Sequence, residues 1–147
     1  MQLQLTDETS RLRSVILGIA NHNGPAPSLE EAYDPKSRVH IAQNTYPLES
    51  DMIKELEAFA GVLQRYEVQV FRPQIIEDCN QIFSRDIGFV IDAFFVKANI
   101  LPDREREIQA IKHVLSLIDP SKILTPPSEV HVEGGDVMLH GDHLFVG

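Results

Sequence analysis

The sequence predicts an α/β fold built from repeated modules of strands and helices. Short apolar runs typical of buried strands alternate with two segments whose apolar residues recur every three or four positions. Their order along the chain is strand, helix, strand, then hairpin, helix, strand, then a second hairpin. Each module would place one helix outside a short sheet. The order therefore predicts one domain of repeated modules over residues 1–147, although the modules share little sequence identity.

The first module begins with a predicted strand and a long loop. Ser14–Ile19 is a continuous apolar run, which is typical of a buried strand. Residues 20–38 are rich in Asn, Gly and Pro and predict a loop, with one helical turn near Leu29–Tyr33. A loop of this length is typical both of a lid over a binding site and of a mobile surface excursion.

A helix and a second strand follow this loop. Glu49, Ser50 or Asp51 can cap the helix, and its apolar residues recur at spacings of three and four as far as Tyr66. Val68–Phe71 then alternates as a short strand. The first module is therefore expected to place this helix between two strands.

The rest of the chain predicts two hairpins with another helix between them. Gly141 stands at the first position of the last turn, where a tight hairpin turn favours glycine. The predicted elements are, in order, a hairpin of Ile87–Ile91 and Phe94–Ala98, a helix from its N-cap Asp103 to Ile118, a strand at Ile123-Leu124, and a hairpin of Val137–His140 and His143–Val146.

The composition narrows the classes of function. A hydrophobic fraction of 43% and a charged fraction of 24% are normal for a globular protein with a core. A net charge of −9 disfavours nucleic acid and anionic membranes as partners, and we expect neither. No apolar run approaches the about 18 residues of a membrane span, and the N-terminus has no apolar signal segment. We therefore expect a cytoplasmic protein.

Two acidic segments carry the candidate chemistry. Asp78–Asp86 (DCNQIFSRD) leads into the first hairpin, and His131–Asp136 (HVEGGD) leads into the last one. Both place carboxylates just before a predicted strand. Gly134-Gly135 has no side chains, so another part of the backbone can approach it closely. A carboxylate accepts two parallel hydrogen bonds from a guanidinium, so two such acids could orient its central carbon for attack. Each segment alone is also typical of a structural ion pair or of a turn with a solvated acid.

Together, and in this order, the two segments resemble the pentein superfamily, which includes arginine deiminase, dimethylarginine dimethylaminohydrolase and glycine amidinotransferase. The resemblance rests on Asn80–Val90 (NQIFSRDIGFV) and Glu133–Val137 (EGGDV), with a matching module order over nearly the whole chain. It implies a propeller of five strand-and-helix modules, of which this chain would be the N-terminal portion, about half of the ring. It also implies chemistry on a guanidino group through a thiouronium intermediate on cysteine.

The resemblance assigns roles to particular residues. Asp86 would bind the substrate guanidinium, and Glu133 would hydrogen-bond the catalytic histidine, so both are candidate catalytic residues. The other candidate substrate-binding residues, which would line the pocket, support it or order the loop, are Asp136, Arg85, Phe83 and Asn80.

The chain departs from the family pattern at the nucleophile. In the family the catalytic histidine follows the Glu-Gly-Gly-Asp motif and the nucleophilic cysteine lies near the C-terminus, and neither position occurs before Gly147. Cys79, the single cysteine, lies in the wrong segment and is expected to be a packing residue.

We expect no metal and no cofactor. A metal site is conceivable, but the spacing of its candidate ligands fits no closed metal motif. Those ligands would be His131, Glu133, His140 and His143.

The leading hypothesis is a hydrolase or amidinotransferase acting on the guanidino group of arginine or a related small molecule. Without the nucleophile and the histidine, the 147-residue chain is expected to be inactive alone. The alternative is a non-catalytic module for guanidinium binding or oligomerisation. Half a propeller would leave strand edges and apolar faces open, which predicts a homo-oligomer or pairing with a missing C-terminal half.

Overall fold

The computed structural model describes residues 1–32, 34–100 and 102–147. Within these ranges the chain forms seven strands and four α-helices. The strands are β1 (Ser14–Ile16), β2 (Gln69–Phe71), β3 (Gly88–Ile91), β4 (Phe94–Lys97), β5 (Ile123–Leu124), β6 (Val137–His140) and β7 (His143–Val146). The helices are α1 (Pro35–Ala42), α2 (Glu49–Arg65), α3 (Glu105–Gln109) and α4 (Lys112–Leu115). Short 3₁₀ helices precede α3, β5 and β6 at Pro102–Arg104, Pro120–Lys122 and Gly134–Asp136.

The strands form three small sheets, each from one stretch of the chain. β1 and β2 pair in parallel with Val15 opposite Val70. β3 and β4 form a hairpin, and β5 pairs in parallel with β4. β6 and β7 form the last hairpin, with Leu139 opposite Leu144. The predicted α/β modules are therefore present, and within the described ranges no closed barrel joins the three sheets.

The first strand is shorter than predicted. β1 ends at Ile16, whereas the apolar run continues to Ile19. Ile19 instead donates its backbone N–H to the carbonyl of Gln81 at 3.0 Å, so the chain changes partner there. Gly18 makes this possible, because a Cβ at that position would collide with the backbone carbonyls of Gln81 and Ile82.

The predicted loop over residues 20–38 is wrong at its end, where α1 begins at Pro35. Asp34 caps this helix by accepting a hydrogen bond from the backbone N–H of Ser37 at 2.6 Å. An aspartate followed by proline is a favourable helix start, because proline lacks an N–H that would be unsatisfied there. The predicted helical turn near Leu29–Tyr33 ends on Tyr33, which lies outside the described residues.

The cap predicted for the next helix is also wrong. α2 starts at Glu49 behind Leu48, and no side chain caps it. Glu49 and Asp51 lie in its first turn instead, where negative charge favours the positive end of the helix dipole. The helix itself and the strand that follows it are confirmed.

The single helix predicted from Asp103 to Ile118 is wrong as well, because α3 and α4 are separate. The backbone carbonyl of Ala110 accepts a hydrogen bond from Gln74 at 2.8 Å and none from Val114, its partner in a continuous α-helix. Val114 correspondingly donates its N–H to the carbonyl of Ile111, three residues back. The side chain of Asp103, the predicted cap, lies outside the described part.

Both predicted hairpins are confirmed. The turn between β3 and β4 has Asp92 at φ 50°, and the turn between β6 and β7 has Gly141 at φ 55°. Positive φ is the conformation that tight hairpin turns require. β6 and β7 have the predicted bounds, and β5 lies where the short apolar pair predicted a strand.

The largest buried cluster joins the first hairpin to α3 and α4. It packs one face of the hairpin against the segment that follows, and its members are Ile87, Phe95, Ile100, Ile111 and Ile118. No helix in the described ranges has the length and apolar character needed to cross a membrane. Ile87, the residue that follows Asp86, belongs to this cluster, so the core anchors the end of the first acidic segment.

Candidate functional site

The two acidic segments are in direct backbone contact. Gly134 donates its N–H to the carbonyl oxygen of Asp86 at 3.1 Å. A Cβ on Gly134 would collide with the carbonyl of Arg85, and a Cβ on Gly135 would stand 2.6 Å from Asp86 Oδ1. A side chain at Gly134 would displace the backbone of the first segment, and a side chain at Gly135 would displace the Asp86 carboxylate. The glycine pair therefore allows the two predicted acids to lie in one place.

Asp86 and Glu133 both face the guanidinium of Arg104. Arg104 Nη1 donates to Asp86 Oδ2 at 3.2 Å and lies 3.7 Å from Glu133 Oε1. All three side chains are at least half buried, so their charges are less screened than those of a surface pair. The structure thus brings the two predicted acids together around a guanidinium that belongs to the chain itself.

A third acid, Glu107, holds the other side of Arg104. It accepts hydrogen bonds from Arg104 Nε at 2.7 Å and Nη2 at 3.0 Å, and only 5% of its side chain is exposed. These hydrogen bonds are the main reason that the pKa of Arg104 is raised above its usual value. Three carboxylates around one guanidinium leave two negative charges in excess, which favours binding of a cation.

Sequence reasoning missed both Arg104 and Glu107. Their spacing of three residues at the start of a helix is a signal for an ion pair. The local pattern predicts this stretch only as the beginning of a helix. The contact from Arg104 to the acidic segments depends on tertiary packing, and no local pattern encodes it.

Arg85 ties the two acidic segments together. Its Nε donates to the carbonyl of Gly134 at 2.8 Å, and its Nη2 donates to the carbonyl of Val137 at 2.7 Å. The same Nη2 forms an ion pair with Glu8 Oε1 at 2.9 Å. These contacts join the two segments, and the role of Arg85 as a pocket or supporting residue stays a prediction.

The remaining predicted residues lie at the surface around this cluster. Asn80 Oδ1 accepts a hydrogen bond from the backbone N–H of Ile82 at 3.1 Å and so orders its loop. Phe83 is 56% exposed, and Asp136 is also exposed. Their roles in substrate binding stay predictions.

Known structures share this arrangement of elements, although no protein-family model matches the sequence and no curated protein matches it significantly. SxtG, an amidinotransferase of the saxitoxin biosynthetic pathway of Microseira wollei, superposes with a TM-score of 0.72 and 18% identity, over 97% of this chain and 54% of that one. Inosamine-phosphate amidinotransferase of Streptomyces griseus gives 0.66 and 16%, over 97% and 53%. Dimethylarginine dimethylaminohydrolase of Pseudomonas aeruginosa, a mutant in complex with citrulline, gives 0.63 and 17%, over 92% and 50%.

The chain has the fold of one part of these amidinotransferase and dimethylarginine dimethylaminohydrolase structures. It spans about half the length of the structures that it matches. In this fold the cluster of Asp86, Glu133 and Arg104 lies where the two acidic segments meet, just before the β3–β4 hairpin and the β6–β7 hairpin in the chain.

Cys79 has the environment of a packing residue. It is 7% exposed, and burial raises the pKa of its thiol, so the thiol form is favoured over the nucleophilic thiolate. His143 stacks on Phe145 with ring centroids 6.4 Å apart, far along the last hairpin. Across the described ranges, no three His, Cys, Asp or Glu side chains are grouped closely enough to hold a metal, including His131, Glu133, His140 and His143.

Proposed function

We propose that this chain supplies the guanidinium-binding half of a hydrolase or amidinotransferase that acts on arginine or a related guanidino compound. The observation that carries the proposal is that Asp86 and Glu133 both contact the Arg104 guanidinium. The same two acids would hold the planar cation of a ligand through paired N–H···O contacts. The excess of negative charge around Arg104 favours this binding.

The fold likeness supports the same class of chemistry. The matched structures include amidinotransferases and a dimethylarginine dimethylaminohydrolase. The resemblance implies that a cysteine thiolate attacks the guanidinium carbon and that an amine leaves. Each carboxylate oxygen can accept two hydrogen bonds, so Glu133 would also orient the catalytic histidine for the proton transfers while it holds the ligand. In the family both the cysteine and the histidine follow the part of the fold that this chain covers.

The three sheets would be consecutive modules of a propeller of five, with this chain forming about half of the ring.

The loop that precedes α1 would be a lid over the acids of the site. The loop packs against the start of the acidic segment, because the N–H of Cys79 donates to the carbonyl of His22 at 3.4 Å. Gly24 also lies beside Asp78, whose Oδ1 would stand 3.8 Å from a Cβ at that position. A closing movement of this loop would exclude water from the acids.

The 147-residue chain is expected to be inactive alone and active with the remainder of the fold. Purified chain incubated with arginine should release neither citrulline, ammonia nor a transferred amidino group. Addition of a polypeptide carrying the C-terminal half of a pentein enzyme, with its late cysteine, should restore turnover. Turnover of arginine by the chain alone, free of contaminating enzyme, would overturn this expectation.

Binding of arginine tests the site directly. Asp86→Asn and Glu133→Gln each remove one charge from the pair and should each weaken arginine binding about tenfold, because a charge-assisted hydrogen bond is lost. Asp142→Asn is the matched control, since Asp142 is exposed in the last hairpin turn. Calorimetry on the chain with and without the C-terminal half separates the two hypotheses.

Binding by the chain alone supports a guanidinium-binding module, and binding only with the added half supports the enzyme. Equal affinities of the wild-type chain, both site variants and the Asp142→Asn control would refute the site. In that case the contact of Asp86 and Glu133 with Arg104 would be purely structural.

A further inference from the structure

Glu107 is a charged residue in the interior that the predicted motifs do not include. Its side chain is 5% exposed, at the start of α3 beside the main core. Burial of a carboxylate is unfavourable unless the charge is paired and hydrogen-bonded. Glu107 forms a bidentate ion pair with Arg104, called the fork below, in which it accepts hydrogen bonds from Nε and from Nη2. The fork therefore supplies both the opposite charge and the hydrogen bonds.

The geometry of Arg104 gives this fork a consequence for the site. A guanidinium is rigid and planar, with five N–H donors in fixed directions. When Glu107 holds Nε and Nη2, the direction of Nη1 is also fixed. Nη1 is the nitrogen that contacts Asp86 and lies near Glu133. A lysine, with one charged nitrogen, could not serve both sides in this way.

Two hydrogen bonds to backbone carbonyls join α3 and the residue after it to residues 74–77, just before the first acidic segment. Arg106 Nη2 donates to the carbonyl of Glu77 at 3.0 Å. Gln74 donates to the carbonyl of Ala110 at 2.8 Å, just after the helix. The position of Glu107 is therefore tied to the same stretch of chain that carries Asp86.

We propose that Glu107 is a positioning residue that acts through Arg104 to hold Asp86 and Glu133 at the spacing needed for a ligand guanidinium. This inference rests on the proposed function of the site. Arg104 stays beside the ligand, and the ligand uses the two oxygens that do not contact Arg104, Asp86 Oδ1 and Glu133 Oε2. Asp86 Oδ1 packs beside Gly135, where a Cβ would stand 2.6 Å away, so Gly135 lets this oxygen lie close to the second acidic segment.

Repulsion between the two carboxylates explains why Asp86 and Glu133 need a group that holds them in place. Two carboxylates that approach a common point repel each other, and each can rotate away on its own side chain. The Arg104 cation between them removes most of this repulsion. Without Glu107, Arg104 would lose the fork that orders its long side chain, and the spacing of the two acids would no longer be fixed.

The test compares Glu107→Gln with Glu105→Gln. The two substitutions are chemically identical and lie on the same helix, but Glu105 is exposed. The first readout needs no ligand and is the side-chain carboxyl ¹³C shifts of Asp86 and Glu133. We expect both signals to move in Glu107→Gln and to stay in place in Glu105→Gln. The second readout is calorimetry with arginine, whose affinity should fall about tenfold only in Glu107→Gln.

Arg104→Lys provides a second variant if Glu107→Gln does not fold. It keeps the charge but loses the fork, so it should shift the same carboxyl signals and weaken arginine binding to a similar degree. Folded variants with unmoved carboxyl signals would overturn the inference, as would tighter arginine binding in Arg104→Lys, because Arg104 would then be an obstacle. If the wild-type chain, with the C-terminal half added, binds no arginine, the proposed function fails, while the carboxyl shifts still decide the role of Glu107.

Discussion

Single residues set the distance between the two acidic segments. Gly135 has no side chain, so Asp86 can lie where a Cβ would stand 2.6 Å from its Oδ1. Gly134 in turn allows the carbonyl of Arg85 to pack against its α-carbon. These glycines are needed for close approach, and neither has a positive φ that would make a side chain unfavourable by itself. Their role is therefore to leave space for the Asp86 side chain and the Arg85 carbonyl.

Gly135→Ala should disrupt the site without unfolding the chain. The added methyl group would push Asp86 away from Arg104, and arginine binding should weaken about tenfold. Gly61→Ala is the matched control, since a Cβ there meets nothing within 4 Å in the middle of α2. That control should leave binding unchanged and raise the melting temperature, because alanine favours helix by about 1 kcal/mol. Calorimetry and thermal unfolding of both variants decide the point, and unchanged binding in Gly135→Ala would contradict it.

At the scale of the elements, local patterns predicted most of the architecture. Both hairpins follow from alternating apolar residues and from turn chemistry, and Gly141 marks the second one. The sequence patterns did not predict where an element ends when a hydrogen bond to a distant segment sets its end. β1 stops because Gln81 takes over at Ile19, and the predicted long helix breaks because Gln74 takes the carbonyl of Ala110. Hydrogen bonds between segments far apart in sequence leave no local pattern.

The same limit applies to the candidate site. The Asp86 and Glu133 motifs could be found from the sequence, because acids and glycines before strands form a short pattern. Arg104 and Glu107 could not be connected to them, since their contact requires α3 to pack beside both hairpins. Arg104, which contacts both predicted acids, is thus a residue that the sequence predicts only as part of a helix.

At the scale of the whole molecule, several apolar side chains remain exposed. The last hairpin leaves Met138 53%, Phe145 52% and Val146 64% exposed, and Phe59 and Tyr66 of the first module are 51% and 74% exposed. Exposed apolar side chains on neighbouring elements are typical of surfaces that bind another protein surface. This agrees with a chain that spans about half of the structures that it matches.

The chain should therefore associate with a second copy or with the C-terminal half of the fold. Substitution of Met138 and Phe145 by serine should weaken this association, because both side chains lie at the surface of the last hairpin. Val39→Ser on α1, which is 53% exposed, is the control at a separate surface. Sedimentation velocity over a concentration series measures the effect. A compact wild-type monomer at every concentration would contradict this prediction.

The pairing of β1 with β2 has a consequence for how the chain folds. Ser14 aligns with Gln69, so this sheet closes a long loop that contains α1 and α2. Closing such a loop loses much chain entropy before any contact compensates, whereas the two hairpins need only neighbouring residues. The segments that carry Asp86 and Glu133 are attached to those hairpins, so they would become ordered early in refolding. The slow step in refolding would then be closure of the N-terminal module.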